Sequence, residues 1–281
     1  MLPILLALAS SVAYGLSDFL GGRSSRRVRL LSVLAVSQGA ALLLLAAFVV
    51  WEGNGPPECS FVRAALLAGL CEVVAVAALY RGFAVGLMSV VAPVAAAAPV
   101  VPLLAGLALG DVPAPLQSVG SVLIVVGVVM VSLGARESKR WGQEKAGSSL
   151  VFGLLAALGF GSFYVAMDAA SAGSVPWALL IARLTSLPLV LLALLVRREG
   201  VFVPRSLLAQ VVAVGGLIVV ADSLYAFATT LGLLGVVAVL SSLHALVTIL
   251  LARIFLGEKL ARAQQVGVAL CLVGVAAVAG R

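Results

Sequence analysis

Charge is scarce in this chain. Its 18 Lys and Arg and 11 Asp and Glu amount to 10% of 281 residues, where a soluble domain carries roughly 25%. A soluble core of this length cannot hide the 63% of residues that are hydrophobic, and the mean hydropathy of +1.23 calls for lipid as part of the solvent. Histidine occurs once, at His244, which excludes a two-His metal site or a zincin motif. The three cysteines, Cys59, Cys71 and Cys271, lack metal-ligand spacing and imply no disulfide framework. Serines have no partnered base and no phosphate loop is present. The sequence therefore points away from an enzyme and implies no cofactor. The net charge of +7 does not mark a nucleic-acid surface, because the basic residues sit in short connectors without interleaved aromatics.

What is present is a series of continuous apolar runs. Barrel strands would alternate apolar and polar residues over about ten positions, whereas these runs are about twenty long, the length of a helix crossing a bilayer. Backbone groups in lipid must be satisfied within the segment, which favours helices. The expected fold is all-α and integral to the membrane, with ten spans near 3–22, 30–51, 62–83, 87–108, 116–135, 149–169, 176–196, 207–229, 233–256 and 264–280. The opening apolar stretch lacks a basic leader and runs on to Gly22, so it reads as the first span rather than a cleaved signal. Several connectors carry Gly or Pro. The longest polar stretch, with Arg136, Glu137, Lys139, Arg140, Glu144 and Lys145, falls near the middle.

Basic residues divide unevenly between the connectors. Those after spans one, five, seven and nine hold Arg23, Arg26, Arg27 and Arg29, then the central stretch, then Arg197, Arg198 and Arg205, then Lys259 and Arg262. The alternate connectors hold little beyond Arg63. The positive-inside rule then puts the odd-numbered connectors in the cytoplasm and both termini outside a cell membrane.

An internal repeat organises the chain. Shifting residues 110–127 by 147 positions matches Gly110, Ala114, Gln117, Val119, Gly120, Leu123, Val126 and Gly127 with Gly257, Ala261, Gln264, Val266, Gly267, Leu270, Val273 and Gly274, eight of 18 positions. A shift of 146 lays Gly86-Leu87 and Val90-Val91-Ala92 on Gly232-Leu233 and Val236-Val237-Ala238, and Tyr14-Gly15 on Phe160-Gly161. The expected units are 1–135 and 149–281, each of five spans, joined by a polar linker at 136–148. Five is odd, so the second unit is inverted relative to the first, as in many secondary transporters whose halves rock about a central site.

These features resemble the EamA family of the drug/metabolite transporter superfamily. The resemblance rests on Phe255-Leu256-Gly257-Glu258-Lys259-Leu260 with Gln265, Gly267 and Gly274. Its first-half copy is Leu109-Gly110-Asp111 with Gln117 and Gly120. The openings Tyr14-Gly15-Leu16-Ser17 and Phe160-Gly161-Ser162-Phe163 complete it. It covers essentially the whole chain and implies a ten-span exporter of small metabolites, with a cavity lined mainly by spans one, three, four, six, eight and nine. Asp111 departs from the usual Glu, Asp18 stands where a neutral polar residue is common, and termini outside depart from the usual placement.

Ionisable groups at lipid depth are costly unless they pair or face a cavity, so each is a functional candidate. Glu72 in span three and Asp222 in span eight occupy corresponding spans and are expected to approach one cavity from opposite halves. There they would load a proton, bind a substrate ammonium, or pair structurally with Arg183. Arg183 has Asp168, Asp222 or a substrate carboxylate as its expected partner. His244 either binds a ligand or titrates, or packs as a satisfied bundle histidine. Asp18 is expected to pair with one of the arginines just beyond it. Tyr14, Tyr80, Phe160, Tyr164 and Tyr225 fall on the cavity spans, as wall or as packing. Pro93, Pro99 and Pro102 interrupt span four, and the absence of proline from span nine argues against a symmetric broken helix.

The function expected is secondary active transport by alternating access, with protons as a coupling partner and Glu72 or Asp222 as the coupling group. The chain would export amino acids or similar small metabolites as a monomer or homodimer. An uptake permease or multidrug exporter is the alternative within transport. A membrane sensor or scaffold, or a lipid-modifying enzyme, is the alternative outside it.

Overall fold

The structure, a computed structural model, describes residues 1–25, 27–85, 94–95, 97–133, 144–256 and 262–279. Among these no strand occurs. The helices are α1 (Leu2–Ser25), α2 (Leu30–Glu52), α3 (Cys59–Val85), α4 (Val100–Leu109), α5 (Pro115–Leu133), α6 (Glu144–Ser171), α7 (Val175–Val196), α8 (Arg205–Leu231), α9 (Leu234–Ser241), α10 (His244–Leu256) and α11 (Arg262–Ala279). Six stretches are long and apolar enough to cross a membrane, in α1, α2, α3, α6, α7 and α8, and four shorter apolar helical stretches accompany them. Helix α6 begins at Glu144, inside the stretch read as linker. The Gly86-Leu87, Val90-Val91-Ala92 and Gly257 to Leu260 matches, and Pro93, lie outside the described residues.

Local chemistry sets the ends. Gly53 (φ 71°) and Gly110 (φ 99°) take the left-handed conformation that closes α2 and α4, a position glycine reaches without a Cβ penalty. Proline opens α5 at Pro115, where its missing N–H costs nothing. Gln117, one of the residues the repeat duplicates, accepts a hydrogen bond from Ala114 N–H (3.1 Å) at the start of α5, the reach-back half of a capping box. Span nine is not one continuous helix. A turn at Ser242–Leu243 separates α9 from α10, and the shift of 146 carries Leu243 onto Ala97, the first residue of the turn at 97–99 that precedes α4. A turn therefore stands at this place in both halves among the described residues, although only the first copy has a proline there.

Packing repeats with the sequence. Helix α3 lies along α6 as α1 lies along α8, α3 meets α7 as α8 meets α2, and α4 meets α6 as α10 meets α1. Two further pairs, α5 with α11 and α2 with α7, join counterparts to each other. Exchanging the two halves leaves this pattern unchanged.

Small residues make these approaches possible. In lipid there is little hydrophobic drive between helices, so close backbone contact carries the association. A methyl placed on Gly15 would come within 2.5 Å of Val247 Cβ and 2.9 Å of the His244 carbonyl. One placed on its counterpart Gly161 would come within 2.5 Å of Val101 Cβ and 2.7 Å of the Ala98 carbonyl. The same contact is thus built twice. Meanwhile Leu43, Val50 and Trp51 are 72–80% exposed on the outer face of α2, as residues bathed in hydrocarbon should be.

Gly161→Val should therefore destabilise by about 1–3 kcal/mol or more, the cost of overpacking. Gly39→Ala, where nothing lies within 4 Å, should be neutral or slightly stabilising because alanine is the better helix former. Thermal unfolding of the two purified variants, compared with wild type in one detergent, checks the contrast.

Candidate functional site

A polar cluster sits at mid-depth among α1, α2, α3, α7 and α8. Its centre is Arg183 of α7, with no exposed surface. One terminal nitrogen, Nη1, donates to Glu72 Oε1 of α3 (2.5 Å) and to Gln38 Oε1 of α2 (2.7 Å). The other, Nη2, donates to Asp222 Oδ2 of α8, and Tyr14 Oη of α1 donates to Asp222 Oδ1. Gln38 Nε2 completes the ring by donating to Glu72 Oε1 (3.3 Å). Glu72 and Asp222 do approach one place from the two halves, and what they meet there is a shared guanidinium. Of the expected partners of Arg183, Asp222 is present and Asp168 is not; Glu72 is the second.

The charges do not balance. One guanidinium faces two carboxylates, so the cluster carries a formal −1 when both are ionised. In a medium of low dielectric an uncompensated carboxylate costs on the order of 20 kcal/mol in the idealised Born limit and several after relaxation. Glu72 Oε2 and Arg183 Nε are both buried without a hydrogen-bond partner among the described residues.

The second group corrects an expectation. Among the described residues Asp18 pairs not with an arginine but with His244, whose Nδ1 lies 2.8 Å from its Oδ2. The turn at Ser242–Leu243 places His244 at the head of α10, where its side chain is 32% exposed and that of Asp18 49% exposed. Two mid-span polar groups are thus open rather than packed away. Tyr14 joins the two clusters, with its ring centroid 5.9 Å from that of His244 and its hydroxyl on Asp222.

Toward the end of the bundle that carries the N-terminus, Pro3, Ile4, Gly232, Val237 and Leu240 line a small cavity, and the core beside it is apolar. Tyr164 and Tyr225 stack at 4.8 Å, and Tyr225 Oη donates to the Tyr164 carbonyl (3.3 Å). Both tyrosines are buried with Met167, Val237 and Leu240. All five belong to the second half, where they pack as core. Phe160 is half-buried on α6 and joins neither polar group. Tyr80 lies in α3 with its side chain outside the described residues, as does that of Arg253, while Arg81 is exposed. The cluster draws on spans two and seven, which the resemblance leaves out of its cavity. Gln38 was missed because a neutral amide in an apolar run gives no electrostatic alarm. The repeat held a clue, since the shift of 146 carries Arg183 onto Ser37, its neighbour.

Arg183→Ala would strand two carboxylates and should cost about 3–5 kcal/mol. Glu72→Gln keeps one balanced pair and should cost far less, and adding it to Arg183→Ala should recover part of the loss. Thermal unfolding of the three variants tests that order.

Comparison with known proteins follows the geometry. The model of the EamA-like transporter family matches residues 1–133 and again 147–280. One solved structure, described only as the crystal structure of a protein, is similar with a TM-score of 0.82 over 99% of this chain and 96% of that one, at 18% identity. At that identity the likeness speaks for the fold alone. No curated protein matches. With both halves covered by one family, the chain belongs to the EamA-like transporter family, membrane transporters of the drug/metabolite superfamily.

Proposed function

We propose that the chain is a proton-coupled secondary transporter that exports amino acids or similar small metabolites, with Glu72 as the group that takes up the proton. It would work as two inverted five-span units, 1–135 and 149–281, joined at 136–148, with ten spans in all and both termini outside the cell membrane. The observation that supports it is the sharing of Arg183 between Glu72 and Asp222. Three links of that cluster cross from one half to the other: Arg183 to Glu72, Arg183 to Gln38, and Tyr14 to Asp222.

Coupling follows from those crossings. With Glu72 ionised, Arg183 is drawn to both halves at once. A proton on Glu72 cancels one attraction and leaves Arg183 held by Asp222, within its own half. The charge state of one oxygen thus alters how firmly the halves are tied at mid-depth, the kind of bistable element that alternating access needs. In the conformation described, Tyr164 and Tyr225 are buried while Asp18 and His244 are partly exposed. Protons and substrate would then enter from the basic, cytoplasmic side.

A thermal-shift screen of amino acids, nucleosides, sugars and cationic dyes identifies the substrate, since a ligand at 100 times its Kd stabilises by about 2.7 kcal/mol. In proteoliposomes, flux of that substrate driven by a pH gradient should fall at least about tenfold in Glu72→Gln, while substrate exchange without a gradient persists. Asp222→Asn should impair both. Wild-type flux in both variants would sink the assignment. In a background without Cys59, Cys71 and Cys271, Asp18→Cys should react with an impermeant thiol reagent from the basic side, and Tyr225→Cys from neither. Labelling of position 18 only from the opposite side would reverse the proposed orientation.

A further inference from the structure

The basic residues after α1 and α7 do more than bias topology, because the two connectors fold against each other. Val28, between Arg27 and Arg29, is buried in a small cluster with Val33 and Val211, against which Val203 and Leu207 pack. Ser32 Oγ accepts from Phe202 N–H (3.2 Å). Gln210 Nε2 donates to the Leu20 carbonyl (3.0 Å) and to Ser24 Oγ (2.9 Å), beside Arg23. Leu194, one turn before Arg197, packs with Ala35 and Leu31 of α2. Two connectors distant in sequence are held as one surface.

That surface presents six exposed arginines, Arg23, Arg27, Arg29, Arg197, Arg198 and Arg205, with Glu199 as the one acid among them. None of the six has an ion-pair partner among the described residues. The helix starts add to the field. Arg29 and Pro204 stand at the N-cap positions of α2 and α8 with no side-chain capping bond, and neither first turn contains an acidic residue. Positive helix ends therefore meet positive side chains, an arrangement that favours a bound anion. Arg198 has φ 53° and is the one non-glycine residue at positive φ among those described. Glycine is the usual occupant of such a position after a helix, yet here a long cation is kept.

Inheritance from the duplication does not explain the charge. The counterpart of the α7–α8 connector is the one between α2 and α3, which is flanked by Glu52 and Glu58 and contains no Lys or Arg. The flanks say where the anion comes from. Leu195 and Val196 are each 74% exposed and Phe202 73%, so the arginines sit beside apolar side chains at the rim of the hydrocarbon. A soluble phosphate would not need them.

We propose that the α1–α2 and α7–α8 connectors together form a binding site for the phosphate of an anionic phospholipid headgroup. The lipid's acyl chains lie along α7 and its phosphate lies among Arg27, Arg29, Arg197, Arg198 and Arg205. Since α1 and α2 belong to one half and α7 and α8 to the other, the bound headgroup spans the seam on the basic side. This site is independent of the Arg183 cluster and of which substrate is carried.

The test uses the full chain in nanodiscs of phosphatidylcholine, with or without a third of phosphatidylglycerol. Lipid retention by native mass spectrometry and thermal unfolding are the readouts. Wild type should retain phosphatidylglycerol and melt higher in its presence. Arg27→Gln with Arg198→Gln should weaken retention by about fivefold per arginine removed, while Arg27→Lys with Arg198→Lys should keep most of it. Arg63→Gln, at the opposite end of the bundle, should behave as wild type. The double Gln variant retains four of the arginines, and its melting in pure phosphatidylcholine should match wild type, which separates lost binding from lost folding. Equal retention in the double Gln variant and wild type would overturn the site. So would inorganic phosphate stabilising the protein in pure phosphatidylcholine as well as phosphatidylglycerol does, which would mark a soluble-anion site instead.

Discussion

A guanidinium held between two carboxylates at the middle of an apolar bundle constrains most of this structure. Arg183 cannot be solvated where it sits, so Glu72, Gln38 and Asp222 must reach it from three other helices. Those helices can converge only if their backbones approach closely. That is the task of the glycines and alanines that fill the interior, and the reason large apolar side chains are displaced to the outer face. Removing the polar cluster and filling its space with apolar groups would in general be neutral or stabilising. Its presence is better explained by what an unbalanced charge can do than by what it adds to stability.

The scaffold is symmetric and the site is not. Helix pairings repeat when the halves are exchanged, yet the shift of 146 carries Arg183 onto Ser37, Asp222 onto Val76 and Glu72 onto Ile218. None of the charges has a charged counterpart. The two carboxylates lie one helical turn apart in repeat coordinates, and so meet opposite ends of the guanidinium fork rather than each other. The two halves supply matched walls, and residues particular to each wall make a polar centre that neither half has alone.

This division decides what could be read from the chain. Apolar runs of about twenty residues and the Gln and Gly matches carry information along the sequence, so helices, repeat and family were legible. The convergence of Glu72 and Asp222 was legible too, because the repeat places their spans together. Partners across the bundle were less so. Asp18 lies within about three turns of four arginines in sequence, and proximity along the chain suggested pairing with one of them. Arg23, Arg27 and Arg29, however, are exposed, while a lipid-depth carboxylate gains more from a partner at its own depth, and His244 supplies it. Gln38 carries no charge and so gave no electrostatic signal at all.

The broken helices show the same limit from the backbone side. In the first half the turn at 97–99 contains Pro99, whose missing N–H and fixed φ account for an interruption. The second half interrupts its helix at the equivalent depth with Ser242 and Leu243, neither of which breaks helices strongly. What the copies share is their neighbour. The carbonyls of Ala98 and His244 lie against Gly161 and Gly15, each too close to admit a Cβ, and Thr248 Oγ1 donates to the Gly15 carbonyl (3.2 Å). The break is thus held by tertiary contact in both halves and reinforced by proline in one. Its consequence in the second half is chemical. An uninterrupted helix would place residue 244 on a different face, whereas the turn delivers the only imidazole of the chain to Asp18 and to the ring of Tyr14, beside the carboxylate that Arg183 holds.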